Sequence, residues 1–353
     1  MMAFDDSGKI SSSGFKDIIY PYSGFNRKAV LIGPAFGVDT AVIDLGNNLG
    51  MAVSSDPLTL IPSLGMEASA WLSVHLMAND LACTGFAPMY AQMVLNLPSS
   101  FSISAFKEYW THIHNFCEDI GVAITGGHTG RIEREESTIS GGGTMFLTAP
   151  LDRIISSHRA SPGDKIVVTK ETALASSSIL AMSFPETVKN RLGVEVYQKA
   201  CENFYQTSSL KDALFAVQQL LPINELKAMH DVTEGGVVGA ICEMAQASGC
   251  GFAIQDELLP VGETQRRITD LFGIDHRYCV GAGAMIMAVK SGKETDLIRH
   301  LQHQSIKATV VGEMTSLQSG YVMADQDEEK TLNFNGKDPY WEAYFKAYSA
   351  GLK

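Results

Sequence analysis

The stretch Gly37-Val38-Asp39-Thr40-Ala41-Val42-Ile43-Asp44 combines an acidic turn with a short apolar run. Gly37 gives the backbone freedom to turn, and residues 41–43 are apolar enough to enter a sheet as a strand. Asp39 is then expected at the entrance of the strand, where a cation or a phosphate can be met. An aspartate beside a turn is more often explained by turn chemistry. The functional meaning of Asp39 therefore depends on the acidic residues that follow it.

Length and composition predict a globular protein of two domains. The chain has 353 residues, of which 45% are hydrophobic and 19% charged, and domains usually contain about 100–200 residues. No stretch reaches the roughly 20 consecutive apolar residues of a membrane helix, and residues 1–9 carry no secretion signal. The six cysteines are scattered without a C-x-x-C pair, which is typical of reduced thiols. We therefore expect a cytoplasmic protein that does not bind membranes.

The net charge limits the choice of partners. The chain carries 27 basic and 39 acidic residues, a formal charge of −12. Proteins that bind the phosphate backbone of nucleic acids need clustered basic residues, so no nucleic-acid partner is expected. A small phosphorylated ligand held through a metal ion is compatible with this charge.

Two further aspartates occupy positions like that of Asp39. Asp56 follows the apolar run 51–54, and Asp80 lies near the C-terminal end of a helix predicted for residues 65–83. A carboxylate at a helix C-terminus is repelled by the helix dipole unless a cation is close. Mg²⁺ prefers oxygen ligands and commonly bridges carboxylates to nucleotide phosphates. Asp39, Asp56 and Asp80 together therefore predict a magnesium site.

Two glycine-bearing segments are candidates for phosphate contact. Gly126-Gly127-His128-Thr129 follows a strand predicted at 122–125, and its backbone N–H groups can face phosphate oxygens. Gly235 and Gly236 begin a predicted helix shortly after Asp231, and helix N-termini attract anions. The Walker A pattern is absent from the sequence, so neither segment is a P-loop.

The organisation of the chain follows from its turns and its alternating patterns. The composition changes near residues 152–164, where Ser161-Pro162-Gly163-Asp164 predicts a turn. We expect a flexible N-terminal arm at 1–26, an N-terminal domain at 27–151, a C-terminal domain at 160–325 and a tail at 326–353. Strand-like and helix-like runs alternate along the second half, which indicates an α/β fold.

Together these motifs resemble the aminoimidazole ribonucleotide synthetase superfamily, also called PurM-like, and within it the AIR synthase-related and HypE-like branch. The matching segments, in chain order over roughly residues 30–325, are 37–42, 55–57, 79–88, 126–129 and 230–236. The resemblance implies an N-terminal domain that pairs with that of a second copy to form a β-barrel, and a larger C-terminal α/β domain. It also implies that ATP binds with Mg²⁺ in a cleft between the domains, at the interface of a homodimer.

The resemblance also implies roles for individual residues. It implies metal binding by Asp39, Asp56 and Asp80, and contacts to ATP by Asn79, Gly126, Gly127, Thr129, Asp231, Gly235 and Gly236. His128 is a candidate acid/base or phosphate donor, with a structural hydrogen bond as the alternative. Lys9 is a candidate for neutralising phosphate charge, with a solvated surface lysine as the alternative.

Three features separate the chain from members of this group. Glu234 stands where HypE proteins commonly carry arginine, the C-terminal end lacks a cysteine, and residues 1–50 contain none. These departures argue against carbamoylation of a terminal cysteine and against selenophosphate synthesis. We expect an ATP- and Mg²⁺-dependent enzyme that activates an oxygen of an unidentified small acceptor by phosphoryl transfer. The alternatives are a nucleotide-binding regulatory or assembly protein without turnover, and a cyclo-ligase or kinase with an atypical loop.

Overall fold

The computed structural model describes residues 14–133, 139–325, 328–332 and 336–353. Lys9, a predicted catalytic residue, lies outside the described residues, as does the first half of the predicted arm. The second half of the arm forms two short helical turns, Phe15–Ile19 and Tyr20–Tyr22, neither of which contains a buried residue. Among the described residues, no helix is both long and apolar enough to span a membrane.

The N-terminal half forms one six-stranded sheet, which we call the N-terminal sheet. Its strands are β1 Val30–Ile32, β2 Ala41–Gly46, β3 Leu49–Pro57, β4 Tyr90–Pro98, β5 Ala123–Ile132 and β6 Ser140–Pro150. Their order across the sheet is β1-β2-β3-β6-β4-β5. All neighbours pair antiparallel except β4 and β5, which are parallel.

Two helices, α1 (Gly65–Ala82) and α2 (Ile103–Asp119), pack on one face of this sheet. Helix α1 is apolar on most of its surface and is buried along most of its length. Helix α2 begins at Ser102, whose side chain accepts a hydrogen bond from the Ala105 N–H at 3.1 Å. Gly143 on β6 lets α1 lie close, because a side chain there would collide with the sulfur of Met77.

The C-terminal half forms a second sheet of seven strands, the C-terminal sheet. The strands are β7 Lys165–Thr169, β8 Leu226–Asp231, β9 Gly251–Gln255, β10 Met285–Val289, β11 Ala308–Thr315, β12 Tyr321–Asp325 and β13 Glu328–Thr331. Their order is β13-β12-β9-β11-β7-β10-β8, and only β9 and β12 pair in parallel. Every residue of β10 is buried, because helices cover this region of the sheet.

The helices of the C-terminal half lie mainly between these strands in the chain. They are α3 Leu174–Ser183, α4 Pro185–Leu192, α5 Val194–Phe204, α6 Leu210–Gln219, α7 Gly236–Ser248, α8 Glu263–Phe272, α9 Glu294–His303 and α10 Pro339–Ser349. The predicted helix start at the glycine pair agrees with α7. The mixed α/β fold in two parts is thus confirmed, and the strands of both sheets pair mainly antiparallel.

The ends and the edges of the fold show features that the sequence patterns do not predict. The predicted tail contains β13 and α10, and α10 buries Tyr340, Ala343 and Ala347 against the helices of the C-terminal half. Their spacing of three and four residues places them on one helical face, which explains the packing. The N-terminal sheet is open within the described residues, with β1 and β5 at its edges, so one chain forms no closed barrel.

Helix α1 also joins the two halves of the molecule. The indole N–H of Trp71 donates to the Thr207 hydroxyl, and the Asn79 side-chain amide donates to the Thr207 carbonyl, both at 2.9 Å. The side-chain oxygen of Asn79, Oδ1, accepts from the backbone N–H of Ser209 at 2.7 Å. The fully buried Asn79 therefore serves as a contact between the two halves, although the sequence predicted an ATP contact for it.

We predict that Asn79→Ala lowers the free energy of unfolding by about 2–4 kcal/mol. The substitution removes two hydrogen bonds and leaves the Ser209 N–H and the Thr207 carbonyl buried without their partner, which costs more than the bonds themselves contribute. Urea unfolding measures the change. Asn115→Ala, on the exposed side of α2, is the matched control, and equal unfolding midpoints for the two variants contradict the assignment.

Candidate functional site

Four aspartates from both halves gather where the halves meet. Asp39 precedes β2, Asp56 lies at the end of β3, Asp80 in the last turn of α1, and Asp231 at the end of β8. Burial raises the pKa of Asp80 well above its usual value, and the negative charges of the other three aspartates raise it further. The structure thus brings together the three predicted metal ligands and the predicted nucleotide contact Asp231.

The position of Asp80 follows from its helix and from a neighbouring strand. Its carboxylate accepts a hydrogen bond from the Ser54 hydroxyl on β3 at 2.5 Å. This bond lowers the pKa of Asp80, but burial and the neighbouring charges outweigh it. At the C-terminal end of α1 the helix dipole adds further repulsion. The carboxylate is therefore electrostatically unfavourable unless a cation is bound.

Asp39 is held by a histidine from the other half of the molecule. Nδ1 of His230 lies 2.6 Å from Oδ2 of Asp39, and Nε2 lies 3.0 Å from Oε2 of Glu243 on α7. Burial lowers the pKa of His230, but Asp39 and then Glu243 raise it more strongly, to well above its usual value. A protonated imidazole thus bridges two carboxylates. The bridge connects the turn before β2 to β8 and α7.

Gly37 lets the turn approach α7. A side chain at this position would overlap the backbone carbonyl of Glu243, and its φ of +78° also favours glycine. The glycine predicted as a flexible turn residue therefore also permits close contact between the two halves. Asp39 reaches His230 because of this contact.

A cysteine belongs to the same cluster. The ligand atoms of Asp39, Cys83 and Asp231 all lie within 4.8 Å of one another. Burial raises the pKa of the Cys83 thiol well above its usual value, and the charges of Asp39 and Asp231 raise it further. The thiol is therefore protonated in the protein without a cation.

The donor set decides which cation fits. The four carboxylates supply the oxygen ligands that Mg²⁺ prefers, and their mutual repulsion is relieved by a divalent cation. The sulfur of Cys83 is not a ligand that Mg²⁺ takes readily. The aspartates therefore fit a magnesium ion, whereas the cysteine fits a softer one.

The predicted phosphate loop at 126–129 is part of a strand. These residues lie within β5, an exposed edge strand that pairs with β4, and the register shifts near Gly126. At Gly127 a side chain would overlap the carbonyl of Met93, so the glycine serves strand pairing. Asp56, Gly143, Met93 and Gly127 form one row across four neighbouring strands. Gly127 is therefore about 14 Å from Asp56 along the sheet, and the segment does not join the aspartates within one chain.

The N-terminus of α7 is occupied by a carboxylate of the protein itself. The backbone N–H of Gly235 donates to Oδ2 of Asp338 at 2.8 Å, and the N–H of Tyr340 donates to Oδ1 at 2.8 Å. At Gly236 a side chain would meet the backbone carbonyl of Arg277, so this glycine serves packing. The helix end for which the sequence predicts phosphate contact thus holds the Asp338 carboxylate, an anion that the helix dipole favours at this position.

Sequence reasoning missed four residues of this region. Cys83 lies three residues after Asp80, and Glu243 is the only charged residue in α7, so both carried a detectable signal. His230 stands beside Asp231 in a recognised motif. Asp338 precedes Pro339 at the start of a helix, which is a capping pattern. Gly235, which it contacts, is 103 residues away in the chain, so no local sequence pattern predicts that contact.

Both halves of the chain are similar to known proteins. Residues 37–146 match the family described as AIR synthase related protein, N-terminal domain, and residues 161–325 match the C-terminal domain of the same family. Carbamoyl dehydratase HypE of Escherichia coli K12 is 22% identical over 267 residues, 74% of this chain and 75% of that protein. Selenide, water dikinase of Methanococcus maripaludis is 23% identical over 315 residues, 82% of this chain and 90% of that protein.

The fold has solved counterparts as well. The crystal structure of the hydrogenase maturation protein HypE in complex with ATP superposes with a TM-score of 0.66 at 19% identity, covering 95% of this chain and 97% of the other. At this identity the likeness establishes the fold. The PurM-like architecture expected from the motifs is therefore confirmed at the level of the single chain.

We predict that Asp338 makes stability depend on pH. Burial and then the charge of Glu234 raise its pKa to about 6, against three backbone hydrogen bonds that lower it. A raised pKa in the folded state adds stability that is complete at low pH and is lost as the pH rises through about 6. Relative to Asp338→Asn, the wild-type protein should lose about 1–2 kcal/mol between pH 5 and pH 7.5.

Urea unfolding at the two pH values measures this difference. Asp338→Asn keeps an oxygen that can accept from Gly235, but it cannot ionise. Asp296→Asn, on the exposed face of α9, is the control and should follow the wild type at both pH values. A constant difference between the wild type and Asp338→Asn contradicts the prediction.

Proposed function

The chain belongs to the AIR synthase related protein family, and we propose that it is an ATP-dependent enzyme whose nucleotide is bound through a divalent cation at the four aspartates. The names of its relatives support an enzyme, since they include a carbamoyl dehydratase and a dikinase. The complex of HypE with ATP supports the nucleotide. The observation that carries the proposal is the gathering of the buried Asp231 and two half-buried carboxylates around Asp80.

The chemistry follows from the charges. A bound Mg²⁺ neutralises phosphate charge and orients the phosphates for in-line transfer. Asp39, Asp56, Asp80 and Asp231 are the residues of this chain that would hold the ion. His230 keeps Asp39 in place through the 2.6 Å contact, and Ser54 does the same for Asp80. We infer transfer of a phosphoryl group to an oxygen of a small acceptor.

The homodimer is part of the same proposal. Along β4 buried residues alternate with exposed ones, and the exposed face carries Tyr90 and Val94. Leu31 on β1 and Leu49 on β3 add to the exposed apolar surface of this sheet. Exposed apolar surface of this kind is typical of an interface. A second copy on this face would cover it.

The proposed roles of the remaining predicted site residues require this dimer. Gly126, Gly127, His128 and Thr129 lie on the edge strand β5, away from the aspartates of their own chain. A second copy that continues the sheet would bring its own residues to this edge. We propose that phosphate contacts by these residues, and acid/base action by His128, occur in that setting.

A second candidate function is nucleotide binding without turnover. Asp338 already occupies the N–H of Gly235, and the side chain of Glu234 lies close, held by Trp341 at 3.0 Å. Two acidic groups at the N-terminus of α7 disfavour a phosphate there by repulsion. This favours a regulatory or assembly protein that keeps the cation site and has lost catalysis.

We predict opposite effects of Asp80→Asn with and without ligand. Without ligand, the variant should unfold at a higher temperature than the wild type, because a buried charge among like charges is removed while Ser54 keeps an acceptor. With MgCl₂ and ATP at 100 times its dissociation constant, the wild type should gain about 2.7 kcal/mol. The variant should gain almost nothing. Thermal unfolding at several ATP concentrations measures both effects.

Asp44→Asn is the control for this experiment. Asp44 lies on β2 and its side chain accepts from the nearby Gly46 N–H at 2.7 Å, so stabilisation of Asp44→Asn by ATP should equal that of the wild type. No stabilisation of the wild type by ATP and Mg²⁺ contradicts nucleotide binding. Stabilisation without phosphate release, when fractionated cell metabolites are added, contradicts the enzyme and supports the regulatory protein.

We predict that Val94→Lys converts the dimer into a monomer. A charge on the exposed apolar face must be desolvated on association, which costs several kcal/mol. Sedimentation velocity measures the mass. Ile103→Lys, at the exposed start of α2, is the control and should leave the dimer intact. A wild-type monomer at micromolar concentration contradicts the dimer.

A further inference from the structure

A lysine with little of its side chain exposed, Lys170, follows β7 in the C-terminal half. Its ammonium nitrogen donates to the carbonyl oxygens of Ser208 at 2.7 Å and Gly283 at 2.9 Å. It also lies 3.0 Å from Oδ1 of Asp212, and 13% of the lysine side chain is exposed. Two hydrogen bonds and an ion pair thus engage a group that has three N–H bonds. The contacts hold the charge inside the fold, so Lys170 is not a candidate for phosphate contact.

The backbone at Lys170 indicates that the side chain matters. Its φ of +57° lies in the left-handed region, which favours glycine. Backbone shape alone therefore gives no reason for a lysine at this position. The nearby ion pair between Lys307 and Glu171 is of another kind, because the Lys307 side chain is exposed and its partner is a single carboxylate. Lys170 instead binds the backbone of two separate segments.

The first carbonyl belongs to the segment 207–209, which anchors helix α1. The side chain of Asn79 bonds to the backbone at both ends of this segment, at 2.9 and 2.7 Å. Nδ1 of His75, one turn earlier on α1, lies 2.9 Å from the hydroxyl of Ser208 in the middle of the segment. Because Asp80 is the residue of the helix that follows Asn79, its position depends on where this segment lies.

The second carbonyl belongs to the turn before β10, the strand that pairs with the end of β8. Gly283 lies two residues before Met285, and Met285 pairs with Asp231. The Met285 N–H donates to the hydroxyl of Thr169 at 3.1 Å, and this hydroxyl donates to Oδ2 of Asp212 at 2.6 Å. The ion pair of the lysine with this carboxylate therefore also supports the strand beside Asp231.

These contacts join the supports of two aspartates that come from opposite halves of the molecule. We propose that Lys170 is a positioning residue that fixes the spacing between Asp80 and Asp231, and with it the affinity of the aspartates for a divalent cation. The inference rests on the proposed function, because the aspartates must bind a cation. Groups that hold metal ligands in place typically change metal affinity about 10- to 100-fold when they are removed.

Titration of the full-length protein with Mn²⁺, without ATP, tests the inference. The electron paramagnetic resonance signal of free Mn²⁺ measures binding, and Mn²⁺ takes the same kinds of oxygen ligand as Mg²⁺. Asp80→Asn should lose the tightest site, which identifies it. Lys170→Met should weaken binding at this site at least about tenfold. Lys307→Met, which removes the exposed ion pair nearby, should bind Mn²⁺ like the wild type.

A double variant separates positioning from a loss of stability. Lys170→Met leaves the buried Asp212 carboxylate without its partner, which destabilises the fold. Lys170→Met combined with Asp212→Asn removes both charges and should recover most of the lost stability in urea unfolding. We expect the double variant still to bind Mn²⁺ at least about tenfold more weakly than the wild type, because the two backbone contacts remain absent. In the same variant without cation, amide hydrogen exchange of residues 79–83 should be faster.

The outcomes separate this inference from the proposed function. Wild-type affinity for Mn²⁺ in the double variant overturns the positioning role and leaves the cation site in place. A wild-type protein that binds no Mn²⁺ at millimolar concentration, or binds it as well as Asp80→Asn does, contradicts the cation site of the proposed function and this inference with it. If Lys170→Met alone fails to fold, the double variant decides.

Discussion

Repulsion among buried and half-buried carboxylates at the junction of the two halves is the constraint around which the structure is arranged. A carboxylate moved out of water costs several kcal/mol unless a partner compensates it. Ser54 and His230 supply partial compensation to Asp80 and Asp39 through contacts of 2.5 and 2.6 Å. The pKa of Asp80 is nevertheless raised, so these contacts do not balance the charge. A proton on Asp80 or a bound divalent cation can balance it.

Holding such a cluster requires that the two halves cannot move apart. Helix α1 carries Asp80 near its end and, two turns earlier, Trp71, which bonds to Thr207 in the other half. The same helix therefore positions a charge and anchors the junction. The bridge from Asp39 through His230 to Glu243 forms a second anchor on the other side of the cluster. Contacts that serve both packing and positioning therefore hold the cluster together and offset part of its electrostatic cost.

The sequence predicted those parts of the site that local residue patterns and short motifs indicate. Helix α1 has helical apolar spacing, and Asp80 follows from that spacing together with the motif that contains it. The segment 126–129 belongs to a strand, which the sequence does not reveal, because a glycine pair has the same local appearance in a loop and in a strand that must pass close to Met93. Only the strand pairing of the folded protein distinguishes a glycine pair in a loop from one in a strand. His230 and Asp39 are separated by 191 residues in the chain. No periodic sequence pattern predicts a contact between residues so far apart in the chain.

Asp338 and a phosphate would compete for the N-terminus of α7. A helix N-terminus stabilises an anion by about 0.3–1 kcal/mol at an exposed site and more when partly buried, and here Asp338 receives that stabilisation. A phosphate at the same N–H must first displace Asp338, whose two oxygens each accept a backbone hydrogen bond at 2.8 Å. Displacement is easier when Asp338 is protonated and the nearby cation draws the phosphate. In the proposed function, a phosphate of the nucleotide and the Asp338 carboxylate would therefore compete for the end of one helix.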